Sequence, residues 1–176
     1  GGTINSGNVT EYTYGVGATL PTDVTRTGYT FKGWYDNEGL TGDPVTAIGN
    51  TETGNKEYWA KWEINQYTIT YDLAGGTAEG NPNTYTIETG AFTLKNPTKS
   101  GYTFTGWSGT GLDGENNMTV TIHTGSTGNR TYTAHWRYNG SGHSYSYYTI
   151  KATAGTGGSI SPSGSISVRE GRDQTF

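Results

Sequence analysis

The 176-residue chain contains no cysteine and a single methionine, and charged side chains make up only 15% of it. Without cysteine there is no disulfide scaffold, no thiolate zinc site and no thiol nucleophile. Mean hydropathy is −0.69 and no long apolar run occurs, which excludes a membrane-crossing helix. A net charge of −4, with no cluster of Lys or Arg, argues against nucleic acid or an anionic membrane as the main partner. Leu, Ile and Val are sparse and the hydrophobic fraction is 30%, so aromatic rings must supply much of any core. The charge is still too low for a typical disordered chain. No secretory signal is visible at Gly1, and the chain reads as a segment of something longer.

The chain is instead rich in turn and strand residues. It has 29 Gly, 14 Tyr and 5 Trp, and Thr is commoner than Gly. β-Branched and aromatic side chains suit a pleated, half-buried surface, and the glycines suit the turns between strands. The expected class is therefore mainly β.

An internal duplication organises the chain. Gly28-Tyr29-Thr30-Phe31-Lys32-Gly33-Trp34 returns as Gly101-Tyr102-Thr103-Phe104-Thr105-Gly106-Trp107, an offset of 73 from residue 28 to residue 101. Tyr12-Thr13 and Gly17-Ala18 match Tyr85-Thr86 and Gly90-Ala91 at the same offset. Tyr58-Trp59-Ala60-Lys61-Trp62 matches Tyr132-Thr133-Ala134-His135-Trp136, and Gly1-Gly2-Thr3 matches Gly75-Gly76-Thr77, both at 74. The organisation expected is a first unit at 1–62, a linker at 63–66, a complete second unit at 67–136, a Gly/Ser/Tyr linker at 137–147, and the start of a divergent third unit at 148–176. The first unit has no counterpart of the strand Tyr67-Thr68-Ile69-Thr70-Tyr71. Linker 63–66 is too short for free tumbling, so units one and two should sit end to end.

Side-chain parity locates the buried faces. Tyr67, Ile69 and Tyr71 share one face and Thr68 and Thr70 the other. Tyr102 shares a face with Phe104, and Tyr29 with Phe31. Trp34 and Trp107 fall on the wrong parity for those faces, and the glycine before each is a candidate bulge that turns the ring inward. Tyr132, Ala134 and Trp136 should face inward with Thr133 and His135 outside. Met118, Val120 and Ile122 alternate and predict a further strand. No segment has convincing helical periodicity.

The Tyr-rich strand, the Gly-Gly turn, the segment Pro97-Thr98-Lys99-Ser100-Gly101-Tyr102-Thr103-Phe104-Thr105-Gly106-Trp107 and the closing Tyr132-Thr133-Ala134-His135-Trp136 resemble the Listeria–Bacteroides repeat, also called the internalin B-repeat. Gly28 to Trp34 and Tyr58 to Trp62 fit the same pattern, and 148–176 resembles a divergent form of it. The resemblance implies small β-grasp-like (ubiquitin-like) modules in secreted or cell-wall-anchored bacterial surface proteins, used as stalks and in adhesion. It brings no catalytic residues. The interval from Trp107 to Tyr132 is longer than the family leads one to expect.

Candidate chemistry is thin. Trp34, Trp62, Trp107 and Trp136 recur in register and read as core, since each ring can bury about 150–250 Å². Trp59 falls on the opposite parity, beside Lys61, and its counterpart in the second unit is Thr133. An outward Trp with a neighbouring ammonium is the candidate ligand-binding pair, for a glycan or a host-surface or matrix protein. Against that stand packing on the neighbouring unit and the ordinary occurrence of single exposed rings. Asp36 and Glu38, and Asp113 and Glu115, place carboxylates in Gly-rich loops, where a hard cation such as calcium finds oxygen ligands. The full calcium-loop spacing is absent, and turn chemistry accounts for the same residues. His123, His135 and His143 lack metal-ligand spacing, and no cofactor motif or nucleophile elbow occurs. Asn8, Asn117, Asn129 and Asn139 head glycosylation triplets that are chance matches in a bacterial protein. The expected function is a non-enzymatic spacer and adhesion module; a glycan- or protein-binding module, or an accessory module of a larger secreted enzyme, is the alternative.

Overall fold

The computed structural model describes residues 1–140 and 145–176. Residues 141–144, which include His143 and complete the Asn139 triplet, lie outside the described residues. The chain forms two compact units, Gly1–Tyr138 and Asn139–Phe176. Every regular element among the described residues is a strand, so the chain is mainly β.

The first repeat contributes β1 (Thr3–Ile4), β2 (Ala18–Thr19), β3 (Val24–Thr25), β4 (Tyr29–Tyr35), β5 (Ala47–Ile48) and β6 (Trp59–Ile64). They form three antiparallel pairs, β1 with β3, β2 with β5 and β4 with β6. The second repeat contributes β7 (Tyr67–Asp72), β8 (Thr84–Tyr85), β9 (Phe92–Thr93), β10 (Tyr102–Gly109), β11 (Thr121–Ile122) and β12 (Arg130–Tyr138). Its main sheet has the order β10-β12-β7-β8, with β12 parallel to β7, and β9 pairs with β11 beside it. The mixed sheet has no helix against it among the described residues, so the helical part of a β-grasp arrangement is not reproduced. The Gly-, Asn- and Thr-rich connections carry short strand pairs instead. The second unit of the chain is an antiparallel hairpin, β13 (Tyr147–Ala152) with β14 (Gly164–Arg169).

The bulges fall where parity required them. In β4 the register shifts between Phe31 and Gly33, and in β10 between Phe104 and Gly106. Two residues then face one on the partner strand, which changes the side to which later residues point. Gly33 (φ 122°) and Gly106 (φ 142°) hold the bulges in a backbone region that side chains rarely adopt. The shift turns the Trp107 ring into the core, where it is 0% exposed.

That core lies in the second repeat and is built on aromatic rings. Ile69, Tyr85, Leu94, Trp107, Val120, Ile122, Tyr132 and Ala134 are its buried members, with Tyr71, Phe104 and Trp136 packed against it. Phe104 meets Trp107 and Trp136 edge-on at 5.4 and 5.5 Å between ring centroids, an arrangement that aromatic quadrupoles favour. The indole N–H of Trp107 donates to Asn96 Oδ1 at 3.0 Å and that of Trp136 to the Leu73 carbonyl at 3.0 Å, so both polar tips are satisfied. Gly76 explains the pairing of the Gly-Gly turn with the closing Trp: a Cβ there would stand 2.4 Å from the Trp136 ring, and one on Gly2 would stand 2.3 Å from the Trp62 ring.

Two expectations change. Met118 is half-exposed and outside any strand, while Val120 and Ile122 are buried as expected. The side chain of Asn117 donates to the carbonyls of Trp107, Asp113 and Gly114 and ends the strand pattern before Met118. Tyr102 shares its face with Phe104, as expected, and lies at the exposed end of β10 with its ring tilted against Tyr138 at 5.2 Å. The closing strand of the second repeat also runs on to Tyr138, past the expected end at Trp136.

The two repeats meet within one compact unit. Only Asn65 and Gln66 separate β6 from β7. Asn65 donates its backbone N–H to the Gly28 carbonyl at 2.9 Å and accepts from Thr30 Oγ1 at 2.6 Å. Across the junction Gly28 lies against Ile87, and the Tyr29 hydroxyl donates to Glu88.

Candidate functional site

The ligand-binding pair expected at Trp59 and Lys61 lies on β6, facing β4. Trp59 is the cross-strand partner of Tyr35, and Lys61 that of Gly33. The outward exposure expected of Trp59 is corrected: Trp59 and Lys61 are both half-buried. The residue responsible is Tyr35, only 5% exposed, which the bulge at Gly33 brings to this face. The Lys61 ammonium lies 5.0 Å from the centre of the Tyr35 ring, a cation–π contact. Trp59, Tyr35 and Lys61 thus form one small aromatic and cationic patch, in which Trp59 and Lys61 are half-buried.

The same position in the second repeat has different chemistry. His135 replaces Lys61 and Ser108 replaces Tyr35, with 2.6 Å between Ser108 Oγ and His135 Nε2. Glu115 stands 3.6 Å from His135 Nδ1. His135, expected to face solvent, is therefore half-buried between two polar partners. Parity indicated the face on which it lies, and no local signal in the sequence pointed to Ser108 or Glu115 as its neighbours.

The four loop carboxylates lie two on each of two turns, Asp36 and Glu38 in the first repeat and Asp113 and Glu115 in the second. Asp36 accepts from Asn37 Nδ2 at 3.0 Å. Asn37 closes its own turn, its Oδ1 accepting from Thr41 N and Oγ1 and its Nδ2 donating to the Thr41 carbonyl. Glu38 is exposed on that turn, and Asp113 and Glu115 are exposed on the loop that Asn117 ties together. Among the described residues no group of three or more His, Cys, Asp or Glu side chains is placed to hold a metal ion. The loops show turn chemistry in which asparagine amides join the chain to itself.

One polar cluster is not visible in the sequence. Arg130 donates from Nε to the Tyr85 hydroxyl at 2.9 Å, and that hydroxyl donates to the Gly128 carbonyl at 2.5 Å. It satisfies the polar end of a buried tyrosine at the edge of the core.

Comparison with known proteins agrees with this architecture of tandem aromatic-cored repeats. The family model of the Listeria–Bacteroides repeat domain matches residues 1–61 and 67–135. A protein of Evansella cellulosilytica, provisionally named a Gly-rich membrane protein, is 34% identical over 100 residues, covering 55% of this chain and 11% of its own length. A second membrane protein of the same organism, also provisionally named, is 33% identical over 99 residues, 55% of this chain and 14% of its own length. Internalin H of Listeria monocytogenes is 34% identical over 105 residues, 57% of this chain and 18% of its own length. The chain thus spans less than a fifth of the length of each of these relatives. No solved structure matches it. With two matched segments that cover most of its length, the chain belongs to the Listeria–Bacteroides repeat family.

Proposed function

We propose that the chain is a non-enzymatic, extracellular segment of a bacterial surface protein, in which coupled repeats act as a spacer and take part in adhesion. The observation that carries this reading is the junction: two residues between β6 and β7, with Asn65, Gly28, Ile87, Tyr29 and Glu88 holding the repeats together across it. A spacer transmits position only if its units do not hinge freely, and a two-residue connection with bridging contacts restricts hinging. A surface location is supported by relatives named Internalin H and membrane protein. The proposed repeats are 1–62 and 67–136, with 148–176 as a divergent third.

A repeat of about 70 residues buries only some 60% of its unfolded surface and is marginal alone. The reading therefore predicts that residues 67–136 in isolation unfold at a lower temperature than the same repeat within 1–136. Equal midpoints would contradict it.

A second reading rests on the Trp59–Tyr35–Lys61 patch, which offers a ring face and an ammonium to a sugar or to a partner's aromatic side chain. A screen on arrayed glycans and matrix proteins, with Trp59→Ala beside the parent chain, tests it. Because Trp59 is half-buried, the substitution also costs about 1–2 kcal/mol of stability, so the variant is scored only where it remains folded. Binding that survives in folded Trp59→Ala would remove this site.

A further inference from the structure

The second repeat carries a hydroxyl, an imidazole and a carboxylate in a row on the face of its sheet opposite the core. Ser108 on β10 and His135 on β12 are diagonal neighbours, since Ser108 pairs with Thr133 and His135 with Gly106. Both point away from the buried side chains of Trp107 and Ala134, which alternate with them along the two strands. Ser108 Oγ lies 2.6 Å from His135 Nε2, and the Glu115 carboxylate lies 3.6 Å from His135 Nδ1. Ser108 and His135 are half-buried and Glu115 is exposed, so the row is open to solvent from one side.

The loop that bears Glu115 is fastened beside the bulge. Trp107 N donates to the Asn117 carbonyl at 2.9 Å, and Asn117 N to that of Trp107 at 3.3 Å. Gly106 permits the close approach, because a Cβ there would stand 2.5 Å from the Asn116 backbone. Glu115 is thereby delivered to His135 from a loop, whereas the first repeat has Tyr35 and Lys61 at the matching positions and no imidazole there. Each group then has a distinct part. The carboxylate favours the tautomer with its proton on Nδ1, which leaves the Nε2 lone pair to accept from the Ser108 hydroxyl. A hydroxyl held by an imidazole whose other nitrogen faces a carboxylate has the arrangement of an activated nucleophile.

We infer that Ser108 is a site of covalent acyl transfer, which takes the acyl group of a short-chain activated ester. His135 is the general base, and Glu115 is a positioning residue that acts through it. Ser108 Oγ attacks the ester carbonyl carbon while its proton passes to His135 Nε2. The tetrahedral adduct breaks its bond to the alcohol oxygen, and His135 returns the proton to the departing alcohol. The chain gains an O-acyl serine and one alcohol is released, with no change of oxidation state. Ser108 has only the short side chain of Thr133 opposite it, and His135 has Gly106, a shallow setting that suits a small acyl group. The transfer modifies the chain itself, once per chain, and is independent of the spacer reading.

The test treats the full chain with para-nitrophenyl acetate over a series of pH values and locates acetyl groups by peptide mass mapping. The expected result is an acetyl group on Ser108, gained about 100-fold faster than on Ser100, a serine exposed on a turn. The rate at Ser108 should rise with pH through the titration range of an imidazole, and folded His135→Gln should lose both that dependence and about 100-fold of the rate. Glu115→Gln should slow Ser108 several-fold across the pH series with the Trp107 indole signal unmoved, the mark of a misplaced base in an intact fold. The inference is overturned if Ser108 reacts no faster than Ser100, or if acetyl groups are found on amines or on His135 and not on Ser108. It is also overturned if folded His135→Gln reacts like the parent chain. Should that variant unfold, the Ser108-to-Ser100 ratio and the pH dependence of the parent chain decide by themselves.

Discussion

The hydroxyl of Tyr29, on β4 of the first repeat, donates a hydrogen bond to the carboxylate of Glu88, on a turn of the second. Gly28, the residue before Tyr29, lies against Ile87, the residue before Glu88, so an apolar and a polar contact act side by side at the junction.

Removing the polar contact should loosen the junction without unfolding either repeat. Tyr29→Phe keeps the ring over which Arg26 stacks at 3.6 Å and deletes only the hydroxyl. The expected outcome is a small fall in the unfolding midpoint of the first repeat and faster independent motion of the two repeats in ¹⁵N relaxation. An unchanged relaxation profile would assign the coupling to Gly28, Ile87 and Asn65 alone.

The two bulge glycines should differ in their tolerance of a side chain. A Cβ on Gly106 would stand 2.5 Å from the Asn116 backbone, whereas one on Gly33 would stand 2.7 Å from the Pro44 ring. Both substitutions carry strain from positive φ, but main chain yields less readily than a ring at a loop. Gly106→Ala is expected to cost about 2–4 kcal/mol and Gly33→Ala less. Denaturant midpoints of the two variants decide the order.

The equivalent tryptophans should be unequal in the same sense. Trp107→Ala opens a cavity in the core at a cost of about 3–5 kcal/mol. Trp34 is only half-buried and should cost clearly less, even though its indole N–H also donates, to the Pro21 carbonyl at 2.7 Å. Equal losses would mean that the two rings are equally buried in solution.

Alkaline pH should weaken the second repeat through Tyr71. Burial, with the Tyr132 phenol nearby, pushes its pKa up from 10.0 to about 12. The folded state therefore keeps a proton that the unfolded chain gives up near 10. The associated stability is complete below pH 10 and is lost as pH rises toward 12. Unfolding followed across this window should show the decline, and Tyr71→Phe should flatten it despite losing the hydrogen bond to the Pro82 carbonyl.

Much of this architecture was readable from residue order. The parity conflict at Trp34 and Trp107 located both bulges, because a ring that must be buried and a strand that alternates are reconciled only by an extra residue. The faces of Tyr67–Tyr71 and Tyr132–Trp136 followed from period two alone. Trp59 lies with Lys61 on the face that parity indicates, but its half-burial was not legible, because Tyr35 reaches that face only after the bulge at Gly33 has changed the parity of β4. Glu88 and Ile87 gave no local signal, since their partners are some 60 residues away and the contact exists only once both repeats have folded. The Ser108–His135 pair gave no local signal either, since it forms only once β10 and β12 of the second repeat have paired.

The central claim is that the first two repeats form one rigid spacer. Residual dipolar couplings measured on the full chain in a weakly aligning medium test it most directly. The account predicts that amides of β4 and β6 and amides of β7, β10 and β12 fit a single alignment tensor of one magnitude. Two tensors of different magnitude would show repeats that reorient independently, and the spacer reading would fail.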